Sequence, residues 1–132
     1  KLRSDPRVIC IESLNAREIS ESHVPEKVDI LTMDVSFISV TKILPAADRL
    51  LKPGAFAFIL VKPQFEARRE DVPPGGVVTD PAVRLAAVEK VRSFAVSETG
   101  WGFVESIESP IKGPKGNQEF VAVFRKLKEH TD

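Results

Sequence analysis

Three polar side chains stand where an α/β sheet places its chemistry. Asp34 follows the apolar run Ile30-Leu31-Thr32-Met33, Lys62 follows Phe58-Ile59-Leu60-Val61, and Glu119 stands at the entrance of the last apolar run. Open α/β sheets bind ligands beyond the carboxyl ends of their strands. If the last strand runs antiparallel to the others, its start shares that edge and all three residues can converge there. An acid, a lysine and a second acid in one partly dry site perturb each other's proton affinity, which suits acid–base and electrostatic catalysis. The plainer reading of the same residues is a capping Asp, a snorkelling Lys and a surface Glu.

Other chemistries fit less well. A receiver domain of two-component signalling also places an Asp after one strand and a Lys-Pro after a later one. Here Asp34 and Lys62 are 28 positions apart with a single helix between them. A receiver needs a further strand and helix in that gap, and an acidic pair on its first strand, and neither is present. Gly113-Pro114-Lys115-Gly116 does not match the phosphate-loop pattern and leads into a strand rather than a helix. Ser36 and Ser39 have no histidine at a plausible position for a hydrolytic triad. His23 and His130 lie at opposite ends, and Cys10 is the only cysteine, so neither a disulfide nor a metal site is expected.

The elements that must position the three residues follow from patterning. Residues 8–11 and 28–33 are continuous apolar runs, as in buried parallel strands covered on both faces. Residues 15–21 are weakly helical. Ser39 can cap a helix with Val40, Ile43, Leu44, Ala47 and Leu51 on its inner face, interrupted by Pro45 and stopped at Lys52-Pro53-Gly54. A strand over 55–61 leads into a long polar loop over 64–79. A helix then starts at Thr79-Asp80-Pro81 and ends at Gly100. Strands over 101–107 and 119–125 close the chain as a wide hairpin. This order predicts an α/β fold: a mostly parallel sheet ending in an antiparallel β-hairpin, the closing half of the nucleoside-methyltransferase architecture.

The chain has 132 residues, 42% apolar and 29% charged, which excludes wholesale disorder. Nineteen basic and nineteen acidic residues balance, so no nucleic-acid partner can be read from the total. Residues 111–128 nevertheless hold five basic side chains against one acid, Glu119. The longest apolar run is too short to cross a bilayer, and no secretory signal is visible. The only methionine is Met33, so the sequence reads as part of a longer protein.

Several strings resemble one family: Lys1-Leu2-Arg3-Ser4-Asp5-Pro6-Arg7-Val8, Leu14-Asn15-Ala16-Arg17, Asp34-Val35-Ser36-Phe37-Ile38-Ser39, and Leu51-Lys52-Pro53-Gly54. Val61-Lys62-Pro63-Gln64-Phe65-Glu66, Gly75-Gly76-Val77-Val78-Thr79-Asp80-Pro81 and Gly113-Pro114-Lys115-Gly116-Asn117-Gln118-Glu119-Phe120 extend the match. They are similar to the TlyA, or hemolysin A, family of FtsJ-like RNA methyltransferases, essentially from end to end. That resemblance implies S-adenosylmethionine as cofactor, ribosomal RNA or ribosomal subunits as partner, ribose 2′-hydroxyls as methyl acceptors, and a cytoplasmic location without a membrane role. It also implies a Lys-Asp-Lys-Glu tetrad, in which Asp34, Lys62 and Glu119 match all but the first lysine.

By position in the superfamily, Asn15 and Ala16 would lie beside the adenine, with Asp34 near the sulfonium. Lys112 and Lys115 are candidates for RNA contact. The family's sheet order, 3-2-1-4-5-7-6, implies that this chain supplies a partial Rossmann-like class I fold, lacking the first two strands and the glycine-rich cofactor loop. The chain alone is therefore expected to bind cofactor negligibly, to be inactive, and to self-associate through open sheet edges. The other readings are a non-catalytic RNA-binding or scaffolding module of the same fold and a membrane-active hemolysin.

Overall fold

The computed structural model describes residues 4–127. Strand β1 spans Val28–Met33, β2 Leu51–Val61, β3 Trp101–Glu108 and β4 Phe120–Lys126. Helix α1 spans Leu44–Asp48, α2 Pro63–Glu66 and α3 Pro81–Phe94. The sheet is ordered β1-β2-β4-β3. β1 and β2 pair in parallel, and β4 is antiparallel to both β2 and β3. Three strands thus point one way and β4 alone is reversed, as the sequence pattern predicts. The reversal brings the start of β4 to the carboxyl edge, where Phe120 pairs with both Val61 and Glu108.

Local sequence explains the joints. Ser39 accepts the N–H of Thr41 and starts a 3-10 turn, Val40–Lys42. Pro45 sits in the first turn of α1, where its missing N–H leaves no bond unmade. The single helix expected after Ser39 is therefore two short pieces. Asp80 caps α3 through the Ala82 N–H at 2.9 Å. The helix then widens into a π turn, Ala95–Thr99, and ends at Gly100 in the left-handed region, φ 73°.

The expected stop at Lys52-Pro53-Gly54 lies inside β2. Between the pairs Val28↔Leu51 and Ile30↔Phe56, β1 advances 2 residues (28 to 30) and β2 advances 5 (51 to 56). Pro53 cannot donate to a ladder and Gly54 takes φ 86°, so this segment bulges out and the strand continues.

The core lies on one face of the sheet. Leu51, Ile59, Val61 and Phe124 are fully buried there with Leu44 of α1 and Val91 of α3. The aromatic rings of Trp101 and Phe103 each lie 5.7 Å from that of Phe124. Ile30, Phe56 and Phe58 share the opposite face and are exposed, so the described residues cover one face where the apolar runs predict two.

Residues 8–11 form no strand, against expectation, and Ile9 is 81% exposed. An extended apolar run needs a ladder partner for its backbone groups, and among the described residues β1 pairs only with β2. The helical expectation for residues 15–21 reduces to one 3-10 turn, Ala16–Glu18. The long polar loop holds α2 and a 3-10 turn, Arg69–Asp71.

Candidate active site

Asp34 follows directly on β1, and Lys62 follows directly on β2 at the N-cap position of α2. Because β1 and β2 are parallel neighbours, their last residues come out side by side. The Lys62 Nζ lies 2.5 Å from Asp34 Oδ1 and donates to Ser36 Oγ at 3.1 Å. The two sides of the pair differ in environment: the Lys62 side chain is 10% exposed and that of Asp34 68%. Among the described residues Lys62 donates to these two oxygens, and an ammonium carries a third N–H. The arrangement is a sheltered cation with one donor to spare, facing an open edge.

Glu119 arrives from the other side, just before β4. It is buried, and its Oε2 accepts the Gln64 Nε2 hydrogen bond at 3.0 Å. Gly113 makes this position possible, because a Cβ there would stand 2.0 Å from Glu119 Oε2. Glu119 makes no ion pair with Lys62 among the described residues. The expected convergence therefore takes a modified form: Asp34 and Lys62 touch, and Glu119 joins through Gln64, two residues beyond Lys62. The Gln64 Oε1 is buried without a partner.

Two loops are tied together beside this edge. Asn117 Oδ1 accepts the Val78 N–H at 2.9 Å, and its Nδ2 donates to the carbonyls of Gly76 and Pro114. Lys115 Nζ donates to the Gly75 carbonyl at 3.0 Å. Lys115 is thus a latch as well as an exposed cation, whereas Lys112 is simply exposed.

The basic stretch does not form one patch. Lys126 is buried in an ion pair, Arg125 stacks over Phe56 at 5.5 Å from the ring centre, and Lys128 lies outside the described residues.

Ala16 and Asp34 line the same cleft, about 480 Å³, against β1. Asn15 is not in that lining. Its Oδ1 accepts the Arg17 N–H at 3.0 Å and caps the short turn, so the side chain assigned to adenine is engaged locally.

Sequence reasoning weighed Ser36 only as a hydrolytic nucleophile and passed over Phe37, Gln64 and Glu66, although all four stand inside the quoted strings. Phe37 is 89% exposed at φ 68°, with its ring 5.0 Å from that of Phe65. A bulky residue with positive φ is unusual, and no sequence pattern announces it.

Residues 1–126 match the FtsJ-like methyltransferase family. The chain belongs to that family. It is 42% identical over 131 residues to "16S/23S rRNA (cytidine-2'-O)-methyltransferase TlyA" of Mycobacterium tuberculosis, covering 99% of this chain and 47% of that protein. It is 42% identical over 128 residues to "Hemolysin A" of Brachyspira hyodysenteriae, covering 94% of this chain and 52% of that one. A solved chain from Streptococcus thermophilus superposes with a TM-score of 0.90 at 38% identity, covering 96% of this chain and 46% of its own length. The chain thus spans about half the length of the curated relatives it matches, 47% and 52%. Among the described residues of this FtsJ-like chain, no helix is long and apolar enough to cross a membrane.

Proposed function

We propose that residues 1–132 are the C-terminal portion of an FtsJ-like methyltransferase domain that methylates ribose 2′-hydroxyls of ribosomal RNA in the cytoplasm. The observation that carries this reading is the Asp34–Lys62 contact at adjacent parallel strand ends, with Glu119 buried at the same edge. The likeness to the 16S/23S rRNA (cytidine-2'-O)-methyltransferase of Mycobacterium tuberculosis supports the substrate class.

S-adenosylmethionine, when bound, supplies an electrophilic methyl group on a sulfonium. The residues present fit one side of such a group: the cleft beside β1 offers an apolar wall, Ala16, and the open Asp34 carboxylate at its rim. Asp34 faces the positive charge and holds Lys62 in place. Lys62 uses its spare N–H to hold the ribose hydroxyl oxygen and stabilise the negative charge that develops there as the hydroxyl proton passes to solvent water at the open Asp34 edge. Glu119, fixed by Gln64 and Gly113, sets the far side of the ribose. Phe37 beside Phe65 offers an exposed aromatic surface on which a base can stack. Lys112 and Lys115 meet phosphates along the same approach.

The deciding experiment is Lys62→Ala in the full-length protein, assayed on ribosomal RNA with labelled S-adenosylmethionine. Loss of methylation in a folded enzyme is the expected result, and unchanged activity refutes the role. Among the described residues the β1 edge is open and one sheet face is bare, so the 132-residue chain alone binds the cofactor negligibly and self-associates. A micromolar dissociation constant by calorimetry, or a monodisperse monomer by light scattering, overturns the respective half of that statement.

A further inference from the structure

A buried carboxylate outside the site described above also bears on it. The Glu66 side chain is 1% exposed. Removing a carboxylate from water is costly unless its oxygens are met by donors or cations. Glu66 Oε1 accepts the Ser39 hydroxyl at 2.6 Å and lies 3.2 Å from Lys90 Nζ, while Oε2 accepts the Val40 N–H at 2.9 Å. Lys90 also donates to the Glu66 backbone carbonyl at 2.9 Å. Through these contacts Lys90 fastens α2 to α3. The other two donors belong to the segment that runs from Asp34 to Val40.

That segment carries Asp34 and Ser36, the two partners of Lys62, and passes through Phe37 at φ 68°. A non-glycine residue in the left-handed region holds its conformation only when its surroundings fix both ends. β1 fixes the near end. At the far end Val40 is buried in the core, and Glu66 accepts hydrogen bonds from Ser39 and Val40. Lys62 and Glu66 are themselves joined by one helical turn, in which the Glu66 N–H bonds the Lys62 carbonyl at 3.1 Å. One short turn therefore grips the segment twice: Lys62 takes Asp34 and Ser36, and Glu66 takes Ser39 and Val40.

We infer that Glu66 is a positioning residue that sets Asp34 and Ser36 against Lys62. The inference rests on the methyltransferase reading above. A methionine at this position keeps the length and nearly the volume of the side chain but supplies no carboxylate oxygen, so Ser39 and Val40 both lose their acceptor.

The test is Glu66→Met in the full-length protein, with methylation of ribosomal RNA measured per folded enzyme and amide hydrogen exchange followed in parallel. Misplacing reacting groups by about 1 Å costs up to roughly 100-fold, so the expected loss in kcat is roughly 10- to 100-fold. Faster exchange is expected only over residues 34–40. A kcat within twofold of wild type overturns the inference. So does faster exchange spread through α3 and the sheet, which marks a role in stability alone. If Glu66→Met does not fold, Ser39→Ala decides: it deletes one of the two segment donors and should give the same local signature at smaller size, and full activity there overturns the proposal. A wild-type enzyme that does not methylate ribosomal RNA sinks the functional reading, while the exchange measurement still shows whether Glu66 anchors the segment.

Discussion

At one end of the sheet Lys62 meets Asp34, and at the other Lys126 meets Asp48. The two pairs use the same chemical groups in opposite ways. Lys126 and Asp48 are both closed off, with side chains 2% and 7% exposed. Lys126 Nζ donates to the carbonyls of Asp48 and Leu51 at 2.8 and 3.1 Å and lies 3.4 Å from Asp48 Oδ1. Trp101 Nε1 donates to the same Oδ1 at 2.7 Å. An ammonium with its donors taken and a carboxylate with no water have nothing left for a ligand; they hold the α1–β2 corner to β3 and β4. Lys62 keeps a donor to spare, and Asp34 keeps water. On the function proposed above, one-sided burial and incomplete hydrogen bonding are what fit the Asp34–Lys62 contact for reaction.

The comparison breaks most sharply under exchange of the two lysines' roles. Lys62→Ala should cut methylation by about 1000-fold, within the span expected for a group acting on the reacting oxygen and its proton. Its stability cost should stay within about 1 kcal/mol, because the Asp34 left behind is solvated. Lys126→Met should do the reverse. Breaking a buried pair from one side costs about 3–5 kcal/mol, read as a lower urea midpoint, with kcat per folded enzyme unchanged. If Lys126→Met destroys turnover in folded protein, or Lys62→Ala unfolds it, the division between the two ends is wrong.

Two smaller changes sharpen the same contrast. Trp101→Phe removes one donor from Asp48 and leaves Lys126 in place, so urea denaturation should show a loss of about 2 kcal/mol. Gly113→Ala acts at the other end. Gly113 has φ −76°, which alanine adopts freely, so the obstacle is the Glu119 carboxylate that the new Cβ would meet at 2.0 Å. Glu119 must swing away and lose Gln64. Turnover should fall about tenfold by misplacement, with little change in melting temperature. Unchanged turnover would show that Glu119 has no part in the reaction.

The strand-end residues were legible because each depends on one local fact: where an apolar run stops. Asp34, Lys62 and Glu119 needed that fact and the reversal of β4, which follows from the missing helix between the last two strands. Features that depend on a partner distant in sequence were not legible. Residues 8–11 have the pattern of a buried strand, yet a pattern cannot supply the strand beside it. Pro53-Gly54 reads as a terminator, and only the offset between β1 and β2 shows it to be a bulge. Lys126 counts toward a basic surface in the sequence and is buried in the fold. Glu66 looks like any acidic residue in a polar loop until Ser39 and Val40, 27 and 26 positions earlier, fold onto it.

The smallest expected effects separate the two candidate RNA-facing lysines, which differ as the two ion pairs do. Lys112 is exposed and free to meet a phosphate. Lys115 has spent one donor on the Gly75 carbonyl and has φ 61°, so its side chain leaves the loop in a set direction. If both touch phosphate, Lys112→Ala and Lys115→Ala should each weaken ribosomal RNA binding a few-fold and reduce the slope of log affinity against log salt by about 1. Lys115→Ala should also loosen the latch between the loops around Gly75 and Lys115, seen as faster amide exchange at Gly76 and Val78, whereas Lys112→Ala should leave exchange unchanged. A salt slope unmoved by both removes this loop from the RNA face. A slope moved only by Lys112→Ala assigns Lys115 to the latch alone, and the loop then presents one cation to the RNA while the other keeps it in place.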